Sequence, residues 1–384
     1  MGRLRLRAFE PQDVPEVAAL QARVNPHYRW PSDAARAAYL REILLDNPWC
    51  DPELPSWVAE DGEGIIGFLG VIARRMRFGA RPIRVAVSCQ LMVDPARRTS
   101  LAALELMRRF FLGPQDLSVA DGPNDAARRC WEAAGGIASP LHSLHWVRLL
   151  SPARGALQLA ASWPRLRTMT RLAAPFAALA DECGLRISPR APQGSLREEA
   201  IDAESLATAI EHHRAAYVLR PHYDAAALEW LLGQLRAKRR YGLMQGCLLR
   251  DSGGRVAGWF LYYLNRRMSQ VLQVGAQREC VGATLECLFE HARSRGAVAL
   301  QGRLEPHLAN GLQGKRCLLQ QRGAGMLLHA RDSSLLLPFF RGDALFTRLD
   351  GEWWTRFSGD DALPADEARE SKSRKQKLRP LLAG

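Results

Sequence analysis

The fold is decided where an apolar strand turns into a helix, in the stretch Val93-Asp94-Pro95-Ala96-Arg97-Arg98-Thr99-Ser100-Leu101-Ala102-Ala103-Leu104. An apolar run over 82–93 predicts the strand, and the segment 100–111 is compatible with a helix. Consecutive backbone N–H groups at a helix N-terminus attract anions, and Arg97 and Arg98 add positive charge. The stretch therefore predicts a corner that binds phosphate groups.

Strand-like and helix-like patterns alternate on both sides of this corner. The apolar runs 57–59 and 65–72 flank a turn rich in glycine, which predicts a hairpin. A helix over 123–134 is expected to end at Gly135-Gly136, and 144–149 reads as a last strand. Residues 1–150 are thus predicted to form one α/β domain.

The same order of elements recurs after residue 195. A second hairpin is predicted around Gly253, with helices before it and a strand and a helix after it. A further helix is expected over 306–319. The division that follows is a first domain at 1–150, a proline-containing connecting segment at 151–195, a second domain at 196–358 and a disordered basic tail at 359–384.

Length and composition support two globular domains. A chain of 384 residues with 47% hydrophobic residues can fill two cores. No apolar run reaches the roughly 18 residues that would suggest a membrane span, and the N-terminus lacks a secretory signal, so a cytoplasmic protein is expected. Eight cysteines show no Cys-x-x-Cys pair and no Cys/His spacing typical of metal ligands, so no metal is expected.

The net charge of +13 raises the question of nucleic-acid binding. Only five of the 53 basic residues are lysines, an arginine bias that is typical of a GC-rich genome. Much of the excess charge also lies in 150–195 and 367–384. The remaining charge suits a cofactor that carries phosphates, and nucleic acid is not the expected partner.

A second motif lies in the helix predicted over 123–134. Asn124, Ala127, Trp131 and Gly135 have the spacing Asn-x-x-Ala-x-x-x-Trp-x-x-x-Gly. This chain resembles the GNAT superfamily of N-acyltransferases, whose members often carry Asn-x-x-Ala-x-x-x-Tyr-x-x-x-Gly at this spacing, so that Trp131 stands where the family has tyrosine. Arg98 and Ala103 match the ends of that family's phosphate loop, whereas Leu101 replaces its middle glycine.

The resemblance implies an α/β fold of two consecutive GNAT-like domains, each a mixed, mostly antiparallel sheet flanked by helices. It implies acetyl-CoA or another acyl-CoA as the co-substrate and a direct attack on the thioester by the amine of a small molecule or peptide. The residues that it assigns to cofactor binding are Val93, Arg97, Arg98, Thr99, Ser100, Leu101, Ala102, Ala103, Asn124, Ala127 and Trp131.

The catalytic groups follow from the positions of polar residues and not from a motif match. The tyrosine of the family can protonate the departing thiolate, but the indole N–H of Trp131 is too weak an acid, so it is expected only to wall the pocket. Asp94 and Asp121 lie near predicted strand ends and are the candidates for a general base. His142 and His145 flank the last strand of the first domain and are further candidates.

The second half offers weaker signals. Residues 277–283 occupy the place of a phosphate loop without the family's spacing. Arg303 and Glu305 either face a cleft or form a buried ion pair, and 350–354 either lines an acceptor pocket or packs its tryptophans on the core.

Two other functions remain open at this stage. A FemAB-like aminoacyl transferase also pairs two GNAT-like domains and would use aminoacyl-tRNA. A ligand-binding protein with decayed catalytic sites is the second alternative, which Leu101 and Trp131 favour.

Overall fold

The computed structural model describes residues 4–26, 30–97, 101–161, 173, 176–177, 181, 196–265 and 267–355. The predictions made for Arg98, Thr99, Ser100 and the tail at 359–384 lie outside the described residues. The strands of the described chain are β1 Arg5–Ala8, β2 Trp57–Asp61, β3 Gly64–Phe78, β4 Arg81–Val93, β5 Leu117–Ala120, β6 Ile137–Ser139, β7 Leu144–Leu149, β8 Arg197–Glu199, β9 Leu219–Pro221, β10 Leu243–Arg250, β11 Val256–Leu264, β12 Ser269–Ala276, β13 Ala299–Arg303, β14 Leu318–Gln321 and β15 Met326–Ala330.

The helices of the described chain cover the faces of the sheets. They are α1 Val14–Val24, α2 Asp33–Leu44, α3 Ala102–Phe111, α4 Asp125–Ala133, α5 Pro152–Ala161, α6 Ala203–His212, α7 Ala225–Ala237, α8 Val281–Ser294, α9 Ala309–Leu312 and α10 Leu337–Arg341. Among the described residues, no helix combines the length and the apolar character that a membrane crossing requires.

The strands form two sheets of the same design. Sheet 1 has the order β1-β2-β3-β4-β5-β15-β6, with β9 paired to β3, and sheet 2 has the order β14-β7-β13-β12-β11-β10-β8. Every pairing is antiparallel except β4 with β5 and β12 with β13, which are parallel. The predicted fold of two mixed, mostly antiparallel sheets flanked by helices is confirmed.

The two halves exchange one strand each. β7 lies in sheet 2 between β13 and β14, and β15 lies in sheet 1 between β5 and β6. In sheet 2, Trp146 of β7 is fully buried opposite Gly302, where any Cβ would overlap its indole ring. The sheets therefore do not divide at residue 150, because β7 precedes that boundary and pairs beyond it.

The helix predicted over 306–319 is wrong. This segment forms a 3-10 turn at Pro306–Leu308, the short helix α9 and then strand β14. Gly314 and Arg316 have φ values of 73° and 52°, a left-handed conformation that ends a right-handed helix.

Three apolar clusters hold the sheets and helices together. The largest lies between the halves, where α1 and α2 from the first half and α6 and α7 from the second pack with residues of both sheets. A second cluster lies under α8 on sheet 2, and a third lies under α3 and α4 on sheet 1. Each Å² of apolar surface that is buried stabilises the folded state by about 25 cal/mol. Because the largest cluster contains residues of both halves, this burial stabilises the contact between the halves as well as each half.

Each sheet opens at its parallel pair of strands. β4 pairs with β5 only from Val85 to Val87, and β12 pairs with β13 only at Ser269 and Gln270. Beyond these points the strands separate. We call the gap between 88–93 of β4 and the end of β5 the first wedge, and the gap between 271–276 of β12 and the end of β13 the second wedge.

The C-terminal described segment closes against the end of β5. The Asp121 carboxylate accepts a hydrogen bond from the Glu352 backbone N–H at 2.6 Å, and its other oxygen lies 3.7 Å from Arg303 Nη1. A Cβ on Gly351 would overlap this carboxylate. Glycine at 351 is therefore required for this close approach.

We expect Gly351→Ala to lower the free energy of unfolding by about 1–3 kcal/mol, because the added methyl group must displace the Asp121 carboxylate. Gly233→Ala is the matched control, since its Cβ would meet nothing within 4 Å inside α7. That change is expected to stabilise the protein by about 0.5–1 kcal/mol. Urea denaturation checks both values, and equal effects of the two variants would contradict the packing at Asp121.

Candidate functional site

A cavity of about 380 Å³ occupies the first wedge. It is bounded by 88–92 of β4, by α1 and α2 on one side, by α3 and α4 on the other, and by the C-terminal described segment. Its lining residues are Gln21, Val24, Asn25, Tyr39, Ser88, Cys89, Gln90, Leu91, Met92, Met107, Ala120, Gly122, Pro123, Asn124, Ala127, Trp131, Leu327, Glu352 and Thr355.

The β4 edge bends into this cavity at Gln90. Gln90 has φ 51°, a left-handed conformation, and the β3–β4 register shifts beside it. Its side-chain oxygen accepts a 2.6 Å hydrogen bond from Gln21 Nε2. The Gln21 side-chain oxygen is buried and has no hydrogen-bond partner among the described residues. A buried acceptor on the α1 side of the cavity is thus left for a ligand that carries a donor.

The start of α4 forms the opposite wall. Asn124 Oδ1 accepts a 2.8 Å hydrogen bond from the Ala127 backbone N–H and so caps the helix. Trp131 is fully buried, and its indole N–H donates to the Leu328 carbonyl at 3.1 Å. Three residues assigned from the sequence, Asn124, Ala127 and Trp131, therefore meet at the cavity, and the indole N–H of Trp131 is engaged elsewhere.

The other described cofactor residues surround the start of α3 and do not line the cavity. Leu101 is exposed, with φ −78°, so a side chain at this position causes no backbone strain. Ala102 is the first residue of α3, and its side chain is buried. Arg97 pairs with Glu63 and lies 3.6 Å from Asp61.

Val93 is the last residue of β4, and Ala103 lies in the first turn of α3. Both flank the corner that holds 98–100, which lies outside the described residues. Met107, one turn further along α3, is the residue of this helix that reaches the cavity. Helix α3, which follows the corner in sequence, therefore contributes to the cavity wall.

The structure holds both acidic candidates away from the cavity. Asp94 accepts hydrogen bonds from the Ala96 backbone N–H at 2.9 Å and from Arg23 Nε at 2.8 Å, and these bonds lower the pKa of its carboxyl group. The Asp121 side chain is 1% exposed and is held by Glu352 N–H and Arg303. Both carboxylates act as caps of the backbone.

Among the described residues, Glu352 is the carboxylate that lines the cavity. Its Oε1 accepts a 3.0 Å hydrogen bond from the Gly122 backbone N–H. Burial and the nearby Glu352 charge raise the pKa of the Cys89 thiol well above its usual value. The neighbouring Trp353 and Trp354 are buried in the largest apolar cluster, as expected if the segment packs its tryptophans on the core. Glu352 of the same segment lines the cavity.

The histidine candidates do not reach the cavity. Burial lowers the pKa of His142 to about 3, and its Nδ1 bonds the Ser139 hydroxyl at 2.8 Å. Burial lowers the pKa of His145 to about 4. Neither residue lines the cavity.

Arg303 and Glu305 form the buried ion pair that was one of the two expectations. The Arg303 guanidinium donates to the Glu305 carboxylate at 3.2 Å and to the Phe346 carbonyl at 2.6 Å. Burial raises the pKa of Glu305 to about 7.

Side chains of the protein itself fill the second wedge. Arg348 donates to the Val271 carbonyl and His307 to the Val274 carbonyl, both at 3.1 Å. The Tyr217 hydroxyl donates to the Ala276 carbonyl and accepts from the Ala276 N–H, also at 3.1 Å. The β12 edge is therefore hydrogen-bonded within the chain.

The helix that follows β12 is covered as well. A Cβ on Gly311 of α9 would lie 3.3 Å from the Gly282 backbone nitrogen, in the first turn of α8. Arg278 pairs with Asp343. In the first wedge, by contrast, no described side chain forms a hydrogen bond with the backbone of 88–93. Among the described residues, the first wedge is open where the second is filled.

Similar folds occur among solved structures. A conserved protein of unknown function from Enterococcus faecalis V583, described as a probable N-acyltransferase, shares 10% sequence identity at a TM-score of 0.57, covering 88% of this chain and 75% of that chain. A GCN5-related N-acetyltransferase from Kribbella flavida shares 14% identity at a TM-score of 0.54, covering 86% and 73%. Another from Anabaena variabilis ATCC 29413 shares 11% identity at a TM-score of 0.58, covering 85% and 73%.

No protein-family model and no curated protein matches the sequence. At 10–14% identity, the similarity to these solved structures shows a shared fold.

Proposed function

We propose that this chain, which has the fold of the GCN5-related N-acetyltransferases, is an acyl-CoA-dependent N-acyltransferase that works at the first wedge. The observation that carries the proposal is the contrast between the wedges. The first wedge exposes the bent edge of β4 to a cavity. In the second wedge, the edge of β12 is hydrogen-bonded by Arg348, His307 and Tyr217.

The residues around the first wedge fit an acyl-CoA. The N-terminus of α3 carries the positive end of the helix dipole, which favours phosphate groups nearby. The cavity volume is within the range of small-molecule sites, and Ala120, Gly122 and Ala127 leave room on the α4 side. The bent edge at Gln90 brings strand backbone to the same space.

Bound acyl-CoA supplies a thioester carbonyl to this cavity. Backbone N–H groups along 88–93 are suited to polarise that carbonyl, because fixed donors cost no reorganisation when charge develops on oxygen. Asn124 positions the cofactor arm through its amide N–H₂ group, since its Oδ1 already caps α4.

Glu352 accepts the proton of the acceptor amine. Its carboxylate lines the cavity and is oriented by the Gly122 N–H. The unpaired amide oxygen of Gln21 orients the amine by accepting a second N–H. The neutral amine then attacks the thioester carbonyl and the carbon–nitrogen bond forms while the carbon–sulfur bond breaks. The proton that the new amide nitrogen loses passes to the departing thiolate, directly or through water, and gives the free thiol.

The departing thiolate needs no acid at the position of Trp131. A thiol has a pKa near 8.5, so its anion is a stable leaving group close to neutral pH. The loss of the family's tyrosine therefore does not exclude catalysis. The decayed-site interpretation applies instead to the second wedge, which we propose supports the fold without binding a cofactor.

Asn124→Ser tests the cofactor assignment. Serine can still cap α4, so the melting temperature is expected to stay unchanged, but the amide N–H₂ group is lost. Coenzyme A should bind about tenfold more weakly by calorimetric titration, as expected for one hydrogen bond of about 1–1.5 kcal/mol. Arg278→Glu, at the matching turn of the second half, should leave the affinity unchanged. The assignment is wrong if Arg278→Glu weakens binding and Asn124→Ser does not.

A further inference from the structure

Three potential metal ligands converge on sheet 2, away from both wedges. They are Glu198 of β8, Cys247 of β10 and His291 of α8, and their ligand atoms all lie within 4.8 Å of one another. Cys247 and His291 are buried, whereas Glu198 is exposed. The cluster therefore lies at the rim of the sheet, where a solvated ion can enter.

The register of the sheet explains why these residues meet. Glu198 pairs with Leu249, so Glu198 and Cys247 project from the same face of neighbouring strands. α8 packs across that face and brings His291 to it. Cys287 lies one helical turn before His291 on the same side of α8 and packs against the cluster that contains Cys247. Its thiol lies outside the group of three whose ligand atoms are within 4.8 Å of one another, so it would become a fourth donor only after its side chain rotates toward them.

The donor set is chemically specific. Thiolate, imidazole and carboxylate are the ligands of four-coordinate zinc, with bonds of about 2.0–2.3 Å. A tetrahedron of such bonds separates its ligand atoms by about 3.3–3.8 Å. The three donors therefore need to approach one another by about 1 Å, which side-chain rotation can supply.

Two neighbours support a metal at this position. The Tyr262 hydroxyl bonds His291 Nδ1 at 3.0 Å, and Nε2 has no hydrogen-bond partner among the described residues. A second-shell bond of this kind fixes the ring orientation of metal-binding histidines. Arg295 donates to the His291 carbonyl at 3.2 Å. Its charge balances the net charge of −1 that two thiolates, one carboxylate and Zn²⁺ would carry.

We propose that Glu198, Cys247, Cys287 and His291 form a structural zinc site that fastens the edge strand β8 to β10 and α8. β8 has three residues and pairs with β10 among the described strands. An ion that joins three elements stabilises the folded state by its binding free energy.

Cobalt(II) titration of the metal-free full-length protein tests this proposal, at mildly alkaline pH because binding releases thiol protons. We expect one Co²⁺ per chain, thiolate-to-metal absorption, displacement by Zn²⁺ and a higher melting temperature with Zn²⁺. Cys247→Ser should remove the thiolate band. Glu198→Gln, at an exposed position that tolerates substitution, should weaken Co²⁺ binding by about 10–100-fold.

Cys130→Ser, a half-buried thiol on α4, is the matched control and should bind Co²⁺ like the wild type. The proposal is overturned if the wild type shows no thiolate band. It is also overturned if folded Glu198→Gln and Cys247→Ser proteins bind Co²⁺ as tightly as the control.

Discussion

Glu352→Gln is expected to lower kcat by about 100–1,000-fold in a coupled assay of thiol release from acetyl-CoA with a panel of primary amines. Glutamine keeps the side-chain oxygen that accepts from the Gly122 N–H but cannot take a proton. General base catalysis contributes about 10²–10⁴-fold to such reactions. The affinity for coenzyme A should change little, because the carboxylate acts on the amine.

Asp94→Asn is the matched control for this variant. Its carboxylate binds Arg23 and the Ala96 N–H outside the cavity, so kcat should stay within about twofold of the wild type. If Asp94→Asn abolishes turnover and Glu352→Gln leaves it intact, the base is the one that the sequence indicated and our assignment of Glu352 fails.

Ala127→Trp is expected to weaken coenzyme A binding by at least 100-fold. Ala127 is half-buried and lines the cavity in the first turn of α4, so an indole there fills space that the cofactor needs. The position opens toward solvent, which lets the helix accept the larger side chain without unfolding. Calorimetric titration and a melting curve measure the two effects separately.

Ala126→Trp provides the matched control on the same helix. Ala126 is exposed and does not line the cavity, so its affinity for coenzyme A should equal that of the wild type. Equal binding by both folded variants would show that the cofactor does not enter beside α4.

Local patterns were sufficient for the strand and the helix on either side of residues 98–100 and for one wall of the cavity. The strand, the turn and α3 are contiguous in sequence, and helical spacing alone places Asn124, Ala127 and Trp131 along one helix. These features depend on the 2.0 and 3.6 periods of strands and helices, which a sequence displays directly.

The base and the strand exchange depend on distant parts of the chain. Gly122 and Glu352, which share a hydrogen bond, are 230 residues apart. β15 has the same apolar pattern whether it completes sheet 1 or sheet 2, so periodicity could not assign its sheet. The turn at Asp350-Gly351-Glu352 offered one signal, because a glycine beside two acidic residues indicates a close backbone approach.

The filled second wedge could not be predicted either. The pattern of 306–319 suggested a helix, but the left-handed residues Gly314 and Arg316 end it early and leave α9 over the first turn of α8. Tyr217 lies beyond the end of α6 at His212, and it binds the β12 edge. Each contact joins elements that are far apart in sequence.

A crystal structure of the full chain soaked with coenzyme A tests the central claim most directly. Our account predicts one molecule per chain, with its pyrophosphate at the 97–102 turn and its thiol in the cavity beside Gln90. The second wedge should keep Arg348, His307 and Tyr217 on the β12 backbone. Coenzyme A bound between β12 and β13, with those three side chains displaced, would contradict the account.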